Sequence, residues 1–124
     1  MTGLPITSLF VALFCIALVA LSVPVSMLRV KANADEETLR RRVRAQGNFI
    51  EYVPLALLAL GLLEFSGNES ATLLWTFGGA LAVGRFLHAL GMWANIRIAV
   101  ALGALTTYLT VIGLGVCLFI ATQT

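Results

Sequence analysis

A chain of 124 residues is one domain by length, and with 60% apolar and only 11% charged residues it cannot cover a water-soluble body of that size, since soluble domains run about 45–50% apolar and about 25% charged. The same apolar content, with a mean hydropathy of +0.97, excludes a disordered chain. The net charge of +2 rests mostly on Arg29, Lys31, Arg40, Arg41, Arg42 and Arg44, a stretch diluted by Asp35, Glu36 and Glu37; no nucleic-acid partner is expected. The class left is an integral, multi-pass membrane protein.

A spanning helix needs roughly 20 mostly apolar residues, and the residues from about 4 to 28 meet that without a single charge. No Lys or Arg precedes Leu4, so this run reads as a retained helix rather than a cleaved signal segment, with Pro24 loosening its last turns. Residues 29–40 read as a charged loop, in which Asn33 to Glu37 form a turn leading into an acidic first helical turn. The second span covers about 41–64, with a polar first third. Ser66, Gly67 and Asn68 mark a short connector. The third span covers about 71–92, and Arg97 opens a fourth that runs uncharged to about residue 121. The expected fold is therefore an all-α, integral membrane four-helix bundle, in one domain over residues 1–124. Basic residues gather in the loop after the first span and beside the loop before the fourth, which puts both loops in the cytoplasm and both termini on the opposite side. Short loops and the lack of a retention signal point to a bacterial inner membrane.

A charge at bilayer depth is costly enough that such groups usually face a bundle interior. In the second span Arg41, Arg44, Asn48 and Glu51 follow one another at offsets of three, four and three, on one helix face, with Tyr52 beside them. Snorkelling arginines at a helix end account for Arg41 and Arg42, but not for Glu51, whose short stem lies two to three turns inside. In the third span Ala80, Gly84 and His88 recur at offsets of four, with Arg85 adjacent; small residues so spaced let another helix approach closely. No Cys, Asp or second His stands near His88 in the sequence, and Cys15 and Cys117 sit apart in apolar runs, so neither a metal site nor a disulfide framework is expected. Arg44, Arg85 and Arg97 approach the cytoplasmic ends of three spans, with Asn48, Glu51, Tyr52 and His88 at similar or slightly greater depth. Several cations with one carboxylate among them suit an anionic ligand, because the guanidinium fork donates two parallel hydrogen bonds to carboxylate or phosphate.

The run Arg44-Ala45-Gln46-Gly47-Asn48-Phe49-Ile50-Glu51-Tyr52-Val53-Pro54 resembles the signature of the MAPEG family, the membrane-associated proteins in eicosanoid and glutathione metabolism. Gly84-Arg85 followed by His88 is similar to that family's third-helix motif, and Asn95-Ile96-Arg97 to the start of its fourth helix. The resemblance spans essentially the whole chain. It implies a homotrimer of four-helix subunits among membrane lipids, with glutathione as co-substrate bound between neighbouring subunits near the cytoplasmic face. By motif, Arg44, Asn48, Glu51 and Tyr52 hold the tripeptide from one subunit, and Arg97 of the neighbour lies near the sulfur as the catalytic residue. Arg29 or Lys31 matches the basic end of the first helix, while Arg85 and His88 match positions lining the same cavity.

An arginine beside the thiol favours the thiolate, which then attacks a lipophilic electrophile or hydroperoxide held next to it. The implied activity is that of a glutathione-dependent membrane transferase or peroxidase. Several catalytic members carry a tyrosine where this chain has Met92, and the family includes a non-catalytic lipid-binding scaffold. The alternative implied is therefore a membrane protein of the same fold that binds a lipid or partner without turnover.

Overall fold

The computed structural model describes residues 3–124 as four helices: α1 (Pro5–Val30), α2 (Glu36–Ser66), α3 (Ala71–Ala94) and α4 (Arg97–Gln123). All four are long and apolar enough to cross a bilayer, and large apolar side chains such as Ile16, Phe86 and Phe119 point outward from the bundle. α2 and α3 form the central pair: α2 packs against each of the other three helices, whereas α1 and α4 do not meet. Phe10, Phe14, Phe49, Val53, Leu60, Leu63, Leu81 and Leu114 make the core between them.

The helix ends follow from their capping chemistry. α1 starts at Pro5, whose missing N–H suits a first helical position, but it has no side-chain cap of its own. Its orphan donors are met from across the bundle instead. The backbone N–H groups of Ile6 and Thr7 donate to the two carboxylate oxygens of Glu64 at 2.8 and 2.7 Å, which places a negative charge at the positive end of the helix dipole. Glu64→Ala is expected to destabilise the bundle by about 1–3 kcal/mol, because two half-buried donors lose their acceptors. Glu64→Gln, which keeps one acceptor oxygen, should lose less. Unfolding midpoints in detergent will read the difference, and equal midpoints for wild type and Glu64→Ala would refute the cross-bundle cap. Nearer the other end of α1, the Gln46 amide donates to the Ser22 hydroxyl at 2.7 Å, which donates in turn to the Leu18 carbonyl at 2.7 Å. The helix runs on past Pro24 to Val30.

α2 begins earlier than the apolar span. Asp35 caps it by accepting from the Thr38 N–H at 3.0 Å and the Thr38 hydroxyl at 2.7 Å. Those bonds hold its carboxyl below the usual carboxylate range. Glu36 and Glu37 in the first turn also complement the dipole. Thirty-one residues make a helix of about 46 Å, well beyond the roughly 30 Å hydrocarbon layer. The polar turns from Glu36 to Arg44 therefore project past the apolar core as ordered helix, which takes in residues 36–40 of the expected charged loop. Gly67 ends α2 at φ 70°, a left-handed position that favours glycine. Ser70 caps α3 through the Leu73 N–H at 3.2 Å. Asn95, at φ 57°, turns the chain so sharply that α4 begins two residues later, against α3.

Candidate functional site

Because α2 extends beyond the apolar layer, its polar face borders a cleft closed by the last turn of α3 and the first turns of α4. The cleft measures about 510 Å³. Arg40, Arg41 and Arg44 line it from α2, Met92 and Asn95 from the α3 end, and Arg97 from the start of α4. Glu37 is the one carboxylate in its lining. It is already engaged, since Arg40 Nη2 approaches Glu37 Oε1 at 2.7 Å, the one ion pair among the described residues. Both partners are well exposed, so the pair adds little stability. Arg41, Arg44 and Arg97 thus present three cations to one cleft with no carboxylate paired to them.

Arg44 and Arg97 come together in the cleft, from two helices. Arg40 as a cleft residue is missed when residues 29–40 are read as loop. Its signal is the Asp35 cap followed by Glu37, Arg40 or Arg41, and Arg44 at helical offsets of three or four and then four or three. Arg42 belongs elsewhere: its guanidinium stacks on the Trp93 ring at 4.1 Å, a cation–π contact that ties the start of α2 to the end of α3. Arg29, in the last turn of α1, and Lys31, at its C-cap, are both exposed and do not line the cleft.

The remaining candidates lie deeper. Arg85 is 5% exposed and bridges three helices: its Nε donates to the Thr107 hydroxyl of α4 at 3.0 Å, and its Nη1 donates to the Asn48 side-chain oxygen of α2. Thr107, fully buried, donates its own hydroxyl hydrogen bond to the Gly103 carbonyl at 2.8 Å. His88 is buried on the same face of α3, against the backbone of α4 at Gly103. Glu51 is exposed. Tyr52 is half-buried and faces Tyr108 with ring centroids 5.4 Å apart. Tyr108 has no counterpart in the sequence reading, yet Arg97, Ala101, Ala104 and Tyr108 recur at offsets of four, three and four, which sets it on the cleft-lining face of α4. Among the described residues no three of His, Cys, Asp and Glu gather where they could hold a metal ion.

The fold and site together define a four-helix membrane protein with an arginine-lined cleft at one end of the bundle. The MAPEG family model matches residues 7–120, nearly the whole chain, and the chain belongs to the MAPEG family. It is an integral, multi-pass membrane protein. Comparison with curated proteins and with solved structures returned no match.

Proposed function

We propose that the protein is a glutathione-dependent transferase or peroxidase that acts on lipophilic electrophiles or hydroperoxides from within the membrane. The observation that carries this reading is the gathering of Arg41, Arg44 and Arg97 without carboxylate partners in a cleft of about 510 Å³. Glutathione carries two carboxylates and one ammonium, so three cations with a separate carboxylate, Glu51, one to two turns deeper on α2, match its charge pattern. Arg44, Asn48, Glu51 and Tyr52 hold the peptide in this reading. Arg97 stands next to the sulfur and Arg85 and His88 lie deeper, while either Arg29 or Lys31, which do not line the cleft of the single subunit, reaches the ligand in this reading only from a neighbouring copy.

The working unit in this reading is a homotrimer. Glu51 lies nearly two turns inward from Arg44, about 10 Å along the helix, and its side chain is exposed. A carboxylate facing lipid at that depth is unfavourable by several kcal/mol, and burial against a neighbouring copy, with a bound ammonium, removes that penalty. In this reading the cleft faces the cytoplasm, which the density of basic residues at this end favours, the membrane is a bacterial inner membrane, and both termini lie on the opposite side.

The test is rapid mixing of detergent-purified protein with glutathione while thiolate absorbance is followed in the ultraviolet. A thiolate signal at neutral pH, where free glutathione is a thiol, is the expected result. No binding of glutathione by calorimetry would overturn the assignment. Binding without the thiolate signal would favour the second reading, a non-catalytic lipid- or partner-binding protein of the same fold. One observation favours that reading: Met92 lines the cleft beside Arg97, and a thioether there cannot donate a proton to sulfur or substrate.

A further inference from the structure

The hydrogen bonds that join α4, α3 and α2 run in one direction, and chemistry fixes that direction at every link. The Thr107 hydroxyl has a single proton, which it donates to the Gly103 carbonyl at 2.8 Å. It therefore meets Arg85 as an acceptor, taking the Nε–H at 3.0 Å. A guanidinium can only donate, so the Asn48 atom beside Arg85 Nη1 is the carboxamide oxygen, Oδ1. An amide turned the other way would set donor against donor. Nδ2 is thus left facing away from Arg85 with both of its N–H groups. It has no acceptor among the described residues and is not sealed from the surface. Asn48 stands one turn inward from Arg44, on the face of α2 that borders the cleft.

We infer that Thr107 is a positioning residue for the ligand of the cleft: through Arg85 it holds the Asn48 carboxamide in the one orientation that presents two donors to a carboxylate. The inference rests on the proposed glutathione reading, in which Asn48 helps to hold the peptide. Thr107 itself touches no ligand, being fully buried and absent from the lining of the cleft. It acts through the register of α4 against α3. Gly103, one turn before it, lies so close to α3 that a Cβ there would stand 2.4 Å from the His88 nitrogen. That contact keeps the Thr107 hydroxyl within reach of Arg85. Without the relay an asparagine side chain turns over freely, and half of its orientations would aim Oδ1 at an anionic ligand, oxygen against oxygen. Fixing the amide beforehand removes that cost from binding. The guanidinium on Oδ1 also polarises the amide and strengthens its N–H groups as donors, and bonds to an ionised acceptor are roughly twice as strong as neutral ones.

The experiment uses full-length protein in detergent micelles, labelled with nitrogen-15 at its asparagines, which are Asn33, Asn48, Asn68 and Asn95. Asn48→Ala identifies the Asn48 side-chain resonances. Without ligand, the wild type is expected to give one sharp NH2 pair for Asn48. Thr107→Val, which keeps the shape of the side chain and loses the hydroxyl, is expected to double or broaden that pair, and Thr107→Ser to restore it. By calorimetry, Thr107→Val is expected to weaken glutathione binding about five- to tenfold, whereas Thr107→Ser stays within about twofold of wild type. Added to Asn48→Ala, Thr107→Val should cost no further affinity. This comparison separates positioning from packing, and an equal loss in both backgrounds would overturn the proposal. So would a wild-type Asn48 amide that samples two orientations, which decides the matter even where Thr107→Val fails to fold. If glutathione does not bind the wild type, the proposed function fails, and the amide spectra alone then uphold or overturn the relay.

Discussion

Arg97→Ala is expected to lower the thiolate fraction of bound glutathione at pH 7 by about eight- to thirtyfold, because a thiol returned to its free pKa of about 8.5 is still about 3% ionised there. An opposite charge within hydrogen-bond reach shifts a thiol by roughly 1–3 pKa units, and in the proposed function Arg97 is the cation beside the sulfur. The sign is definite: removing the cation raises the thiol pKa towards its free value, so thiolate is lost at pH 7 and recovered at higher pH. Binding itself should fall less, because Arg41 and Arg44 still line the cleft and long charge pairs remain. Arg97→Lys should restore part of the signal, since it keeps the charge and loses the fork. A pH titration of the ultraviolet signal in the three proteins separates the two roles of Arg97. If Arg97→Ala weakens binding while the thiol pKa stays where it was, the residue is a carboxylate clamp and the thiolate is activated elsewhere.

Gly103→Val is expected to destabilise the bundle strongly by forcing α3 and α4 apart. A Cβ at residue 103 would stand 2.4 Å from the backbone nitrogen of His88 and 2.6 Å from the carbonyl oxygen of Gly84. Both obstacles are backbone, so no side chain can swing away, and α3 and α4 must separate. Overpacking a close helix contact costs typically about 1–3 kcal/mol. Here the damage spreads further, because Thr107, which anchors Arg85, bonds to the Gly103 carbonyl. Gly115→Ala on the same helix is the control: a Cβ there meets nothing within 4 Å, so stability should be unchanged or rise by up to about 1 kcal/mol. Yield of monodisperse protein and unfolding midpoints will compare the two. A Gly103→Val protein as stable as wild type would mean that α3 and α4 do not pack at this distance.

Small residues on α3 were legible as a packing stripe, because Gly84 and His88 recur at helical spacing. What they pack against was not. Gly103 on α4 belongs to a run of apolar residues with no charge to orient it, and the helix face it presents follows only once Asn95 has set the turn between α3 and α4. The same holds for Arg85. Its burial inside a span argued from sequence for a bundle interior, yet which cavity it lines depends on how far α1 and α3 stand apart. The structure places it on the wall of a groove between α1 and α3, with Asn48 and Thr107 as its partners, while Arg44 and Arg97 face the cleft.

Composition and pattern by themselves determined the four helices, their membrane class and the family, because hydropathy over about 20 residues and a motif within α2 are local properties of the chain. The caps at Asp35, Gly67 and Asn95 are local as well, and their residue types mark them. The tertiary structure alone decided the rest. It showed that Glu64 caps α1 from 57 to 58 residues away, that the polar start of α2 borders a cleft closed by α3 and α4, and that Tyr108 faces Tyr52. The physical reason is the same in each case: inside a membrane the unsatisfied donors and charges of one helix must be met by whichever helix lies alongside, and spacing along the chain does not say which one that is.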